Sequence, residues 1–298
     1  MIRLERIFCP TDLSTESDGA LRYAIALART YEAKLFVCHC VEGFADAVEQ
    51  DSFARKFAEL IKSHTGVAHS PPADCEGVLI EGDPATAMTR AAVEQRADLI
   101  VMRSRRRPLA AALLGSTAEA ICHAAPCPVL VVHPDEREWV GATSGEIDLR
   151  RILVAHDFST DSELAMQYGL SLAQEHQAEL HLLHVLPVTL APALTALPPA
   201  IEGDFQRAAR MLEQAVPDEA RLWCRVTQAV QAGQASHEIL TYAGEHEIDL
   251  ICLGVHGAGF TMRALFGSNA DRVLREAPCP VLVARPSGTG DAREHQQE

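Results

Sequence analysis

Apolar and polar positions along this chain alternate between two periods. Short, almost uniformly apolar runs occur at Ile7–Cys9, Leu35–Cys40, Leu99–Met102 and Val129–Val132. Runs of this kind suit strands buried on both faces of a parallel sheet. Val78–Glu81 is a fifth strand candidate. Between the strands, Ser17–Tyr31 spaces Leu21, Ala24, Ile25 and Ala28 at helical intervals, and Ala85–Gln95 and Thr117–Ala124 also read as helices. Strand and helix in alternation, joined by right-handed crossovers, predict an α/β fold with helices on both sides of the sheet.

The same pattern then begins again. Residues 7–42 read IFCPTDLSTESDGALRYAIALARTYEAKLFVCHCVE, and residues 152–187 read ILVAHDFSTDSELAMQYGLSLAQEHQAELHLLHVLP. An offset of 145 pairs Asp12 with Asp157, Ser14 with Ser159, Tyr23 with Tyr168 and His39 with His184. Further on, ADLIVMRSRRR (97–107) matches IDLICLGVHGA (248–258), and APCPVLVV (125–132) matches APCPVLVA (277–284). Matches in one order in both halves mean a duplication. The expected organisation is a first domain over 1–144, a second over 145–286 and a polar tail without fixed structure over 287–298. Each domain is expected to be a doubly wound, mainly parallel five-stranded sheet of Rossmann-like type. The second half carries a helical insert at Pro198–Val216, preceded by a proline-rich, irregular loop.

Composition narrows the function classes. A formal charge of −15 and a pI near 5.3 leave no basic surplus for a phosphate backbone, so no nucleic-acid partner is expected. No segment has the length and apolarity of a signal peptide or membrane span, which predicts a cytoplasmic protein without membrane contact. Nine cysteines without a CxxC pair read as free buried thiols. Cys38 and Cys40 flank His39, and Cys122-His123 precedes Cys127, but these spacings are not those of zinc ligands and core packing is the expected role.

The chemistry concentrates in DLICLGVHGAGFTMRALFGSN, residues 249–269. A buried strand runs into Gly254, and Gly257 follows after two residues. Nine residues later, Gly267-Ser268 opens a helix beginning at Asn269. Glycines here let backbone N–H groups approach phosphate oxygens, and a helix start adds free N–H groups and a favourable dipole. The spacing resembles the Gly-2x-Gly-9x-Gly-Ser ATP-binding signature of the universal stress protein family. The resemblance extends over both halves, including Pro10-Thr11-Asp12, Ala155-His156-Asp157 and the terminal APCPVLV runs. It implies a fold of the adenine nucleotide alpha hydrolase-like type and ATP as ligand, with magnesium as a candidate companion. By the same resemblance, Asp157 would accept from the ribose or base, Val185 would pack on the purine (a plain core valine being the alternative), and Gly233 would lie close to the nucleotide. His256, inside the loop, reads as a phosphate or solvent contact.

The first half departs from this pattern. Arg103 stands in the place of Gly254 and Arg106 in that of Gly257, the spacer is one residue shorter, and it contains Pro108. A half that has lost nucleotide binding is the expected reading, although arginine also binds anions. The chain has no Walker, GxSxG or HExxH motif. Three function classes stay open. The first is an ATP-binding stress-response regulator that acts on an unidentified protein partner. The others are a slow Mg- or Mn-dependent ATPase using Asp157 and His256, and a nucleotide-independent interaction module. The apolar last strands, VLVV (129–132) and VLVA (281–284), are expected to pair the halves as an intramolecular pseudo-dimer, since such edges invite pairing. A further homodimer of whole chains is left open.

Overall fold

Two compact units divide the chain, residues 2–148 and 149–284. The structure is a computed structural model. It describes residues 2–15, 17–41, 43, 45–64, 74–104, 116–133, 137–142, 144–187, 199–255 and 267–285.

The first unit runs β1 (Arg6–Thr11), α1 (Asp18–Thr30), β2 (Lys34–Val41), α2 (Ala47–His64), β3 (Cys75–Glu81), α3 (Pro84–Glu94), β4 (Leu99–Arg103), α4 (Ser116–Ala124) and β5 (Val129–Val132). Its strands lie in the order β3-β2-β1-β4-β5, all pairs parallel. The second unit runs β6 (Arg151–Ala155), α5 (Thr160–His176), β7 (Glu179–Pro187), α6 (Pro199–Ala215), α7 (Ala220–Trp223), β8 (Val226–Gly233), α8 (Ala235–Glu245), β9 (Leu250–Gly254), α9 (Ser268–Glu276) and β10 (Val281–Ala284). Its order is β8-β7-β6-β9-β10, again parallel. Each unit is therefore a doubly wound five-stranded sheet whose direction of winding reverses at its first strand. Right-handed crossovers place the helices made before the reversal on one face and those made after it on the other.

The duplication is visible in the backbone as well as in the sequence. Left-handed, non-glycine residues occur at Leu13 and Phe158 (φ 59° and 62°), Glu32 and Gln177 (52° and 54°), and Arg96 and Glu247 (52° and 49°). All three pairs occupy matching places, one after the first strand and two after helices. A second shared device ties down the sheet's amino edge. The Asp98 carboxylate accepts from the N–H groups of Glu5 and Arg6, both at 2.9 Å, and Asp249 accepts from Arg150 and Arg151 at 3.0 and 2.9 Å.

Three features have no counterpart in the sequence reading. α2 covers the outer part of the first sheet, where Phe57 lies against Gly77 so closely that a Cβ there would sit 2.9 Å from the ring. α7 is a single turn ahead of β8. The polar stretch after β5 is folded: Trp139 is 2% exposed, and its ring meets Tyr23 of α1 edge-on at 4.6 Å. Its N–H donates to the Tyr23 hydroxyl at 3.0 Å, and Val140 bridges antiparallel to Ile147.

Seven of the nine cysteines are buried, each within its own unit. Cys9, Cys38, Cys122, Cys127, Cys224, Cys252 and Cys279 are buried and none is disulfide-bonded. Burial pushes the Cys122 and Cys127 thiols up to about 12, far from the thiolate form. Among the described residues no group of three or more His, Cys, Asp or Glu is arranged to hold a metal ion. No helix among them is long and apolar enough to cross a membrane.

Burial also holds the imidazoles of His156, His176 and His181 in the second unit below the usual histidine range. Glu163 beside His156 and Glu179 beside His181 oppose that shift without cancelling it. Each ring takes up its proton at lower pH when folded than in the unfolded chain, where histidine titrates at a pH of about 6.5. The unfolded state then binds more protons, so the second unit loses stability as pH falls from about 6.5, until the folded-state rings titrate too. Melting curves at a pH of about 7.5 and about 5.5 should show its transition lowered at the acid end. An unchanged transition would refute this.

Candidate functional site

Both units build one turn after their first strand. The Asp157 carboxylate accepts from the Ser159 N–H at 3.1 Å and the Ser159 hydroxyl at 2.5 Å. Asp12 does the same with Ser14 at 3.0 and 2.5 Å. The left-handed residue between them turns the chain towards the helix, and its N–H is satisfied in each half by a different side chain. Leu13 donates to the Thr11 hydroxyl at 3.0 Å, and Phe158 to His156 Nδ1 at 3.2 Å. Histidine at 156 thus replaces threonine as the acceptor. With Nδ1 accepting, its proton lies on Nε2, which faces Glu163 at 3.4 Å. A second histidine steadies the strand end: His184 Nδ1 donates to the His156 carbonyl at 2.7 Å, as His39 does to Thr11 at 2.9 Å. The Phe158 ring lies 5.1 Å from His156 and 4.6 Å from His184. The repeat paired His39 with His184 in sequence, but nothing in the sequence showed that both clamp the first strand.

The half-buried Asp157 lies at the carboxyl end of β6, with β7 on one side and β9 on the other. This is the reversal point of the second sheet, where open α/β sheets hold their ligands. The half-buried Val185 is near the end of β7, and Gly254 ends β9. Gly267 is the N-terminal cap of α9, and its N–H donates to the Val255 carbonyl at 3.2 Å, which ties the helix start to the strand end. Asp157, Val185, Gly254, Gly267 and Ser268 are therefore gathered around one edge. His256 and Gly257 lie outside the described residues.

Among the described residues no side chain caps α9, and Ser268 and Asn269 are exposed in its first turn. A helix start of this kind favours an anion through its first-turn N–H groups and the positive end of its dipole. Asn269 is partly committed elsewhere, since its side-chain oxygen accepts from the Ser236 N–H of α8 at 3.3 Å. Gly233 ends β8 under α8, where an added Cβ would sit 2.4 Å from Glu238 Oε1.

Gly254 has a packing role that the motif does not announce. A Cβ there would lie 2.7 Å from the Asp161 carbonyl carbon and 2.9 Å from its oxygen, in the first turn of α5. The glycine lets that turn close onto the end of β9. Ser159 then caps α5, its hydroxyl accepting from Ser162 N–H at 3.2 Å. Arg103 occupies the corresponding place in the first unit, and α1 there begins only at Asp18, three residues later than α5 by the repeat. Gly254→Ala would press its methyl onto main chain that cannot rotate away. The second unit should lose about 1–3 kcal/mol of stability, read by denaturant unfolding, with the start of α5 displaced. A variant as stable as the parent would contradict the close packing.

In the first unit, Arg103 is half-buried, and Ser104 beside it is hydrogen-bonded to His133. Arg106 and Gly115, the first half's counterpart of Gly267 by sequence, lie outside the described residues.

Comparison with known proteins agrees in both halves. A model of the universal stress protein family matches residues 3–133 and 148–285. A universal stress protein of Mycolicibacterium smegmatis is 25% identical over 295 residues, covering 94% of this chain and 97% of its own. One of Mycobacterium tuberculosis is 28% identical over 297 residues, with 93% and 95% covered. Among solved structures, a universal stress protein from Archaeoglobus fulgidus superposes with a TM-score of 0.70 at 22% identity, covering 95% of this chain and 99% of its own, which bears on the fold.

Proposed function

The chain belongs to the universal stress protein family in both of its halves, and from that premise we propose that it is an ATP-binding regulatory protein holding one nucleotide, in the second unit. The observation that carries this reading is the contrast between the two carboxyl edges. In the second unit, Asp157, Val185 and Gly254 surround the reversal point and face the uncapped start of α9 at Gly267 and Ser268. In the first, Arg103 stands where Gly254 stands and the first helix starts late. Asp157 would accept from a ribose hydroxyl, Val185 would cover the purine face, and the α9 N–H groups with the Ser268 hydroxyl would take phosphate oxygens. Gly257 and His256 belong to the same loop by sequence. The bound nucleotide would act as a conformational or partner switch in the cytoplasm, since among the described residues beside the site none forms a nucleophile paired with its base.

Calorimetric titration with ATP should give one site per chain, and ultraviolet absorbance of the purified protein should show whether nucleotide is carried along. Two equivalent sites, or none, would overturn the reading. Turnover of ATP in magnesium or manganese would instead favour the slow ATPase, with Asp157 beside the phosphates.

A further inference from the structure

Beneath α8 two polar atoms are buried with no hydrogen-bond partner among the described residues, the side-chain oxygen of Gln231 and the hydroxyl of Ser236, a residue only 1% exposed. Strand alternation locates them. His181 of β7 pairs with the Tyr242 hydroxyl of α8 at 3.0 Å, and a Cβ on Gly233 of β8 would meet Glu238 of α8. Gln228 turns the other way, donating to the Leu212 carbonyl of α6 at 3.1 Å. Odd-numbered residues of both strands therefore face α8. Val185 and Gln231 are direct neighbours in register, so they share that face near the carboxyl edge. Ser236 continues the inward stripe of Ile239, Tyr242 and Ala243 to the first turn of α8.

The first unit lacks both of these polar groups. Cys40 and Ile80 are the register pair there, and Ala85 stands in the place of Ser236. Its α3 is closed by Asp83, whose carboxylate accepts from Thr86 N–H at 3.0 Å, whereas Gln234 makes no such cap on α8. A buried amide oxygen without a partner destabilises the fold, and an apolar side chain would fit better, as Ile80 does. The occupant that would satisfy it must donate a hydrogen bond. A phosphate, whose oxygens accept, does not. A flat base lying on Val185 does, offering an amine to the Gln231 oxygen and a ring nitrogen to the Ser236 hydroxyl.

We propose that Gln231 and Ser236 read the base of the bound nucleotide, Gln231 accepting from the exocyclic amine of adenine and Ser236 donating to a ring nitrogen. The assignment rests on the nucleotide reading of the second unit. It predicts a pattern that a merely structural glutamine would not give. Titrate the parent, Gln231→Ile and Ser236→Ala with ADP, ATP and purine riboside triphosphate, which lacks the amine. Gln231→Ile should weaken ADP and ATP by the same factor, about 10-fold, and leave the amine-free analogue unchanged. It should also raise the melting temperature of the ligand-free protein. Ser236→Ala, which removes only a hydroxyl, should weaken all three ligands alike and keeps the test informative if Gln231→Ile folds poorly. Equal ATP affinity in parent and variants overturns the assignment alone, and so does an equal loss for the analogue in Gln231→Ile. Failure of the parent to bind any of the three overturns the nucleotide reading and this assignment with it.

Discussion

Gly257→Arg should abolish ATP binding, lowering affinity by at least about 100-fold, which corresponds to about 2.7 kcal/mol or more. Gly257 stands three residues past Gly254, in the loop that leaves β9 for the uncapped start of α9. A phosphate held there needs backbone N–H groups at hydrogen-bond distance, and a side chain at a glycine position stands in its way. Arginine is the informative replacement because the first half already carries it at the matching place, Arg106. Unfolding of the second unit should be little affected, in contrast to Gly254→Ala, whose added carbon meets the main chain of α5. The two glycines of one motif are thus expected to separate, one acting on stability and the other on binding. A Gly257→Arg protein that binds ATP as tightly as the parent would refute the placement of the phosphates.

The second large effect concerns the first unit. Trp139→Ala should destabilise the first unit by about 3–5 kcal/mol, the range for removing a large buried aromatic. Trp139 is 2% exposed, packed edge-on against Tyr23 at 4.6 Å, and its backbone donates to the Tyr23 hydroxyl. Truncation would empty that space and loosen the segment that Val140 and Ile147 hold in an antiparallel bridge. Denaturant unfolding followed by far-ultraviolet circular dichroism should show the first unit's transition moved to lower denaturant, with the second unit's in place. Tyr23→Phe keeps the ring and removes one hydrogen bond, so a loss of about 1 kcal/mol is expected. If Trp139→Ala left the midpoint unchanged, the segment after β5 would have to be a passive tether.

Periodicity made the repeated α/β pattern legible because it depends on local alternation. Buried parallel strands show as apolar runs and the intervening helices as apolar stripes, and the 145-residue offset aligned them without any knowledge of contacts. The pairs Leu13 and Phe158, or Glu32 and Gln177, show the same duplication in φ angles, although neither residue of a pair announces a left-handed turn by its type. α2 is not legible in the sequence because Phe53 is its only buried side chain, so the stripe is thin, and its value to the fold lies in covering β3. Trp139 escaped because a polar segment with one aromatic reads as a connector until Tyr23 is found beside it.

The candidate site divides in the same way. Spacing alone marked Gly254, Gly257, Gly267 and Ser268, because a strand, a glycine loop and a helix start follow one another along the chain. What each group does there depends on neighbours distant in sequence. Gly254 is required by Asp161, 93 positions earlier, and Asn269 spends its oxygen on Ser236. Gln231 looks like an ordinary polar residue on a strand until β7, β8 and α8 close over its oxygen. Local periodicity therefore determined the two-fold α/β plan and the position of the loop. Only the tertiary structure decided which glycines pack and which polar atoms are left without partners, since burial and hydrogen bonding are properties of what surrounds a residue.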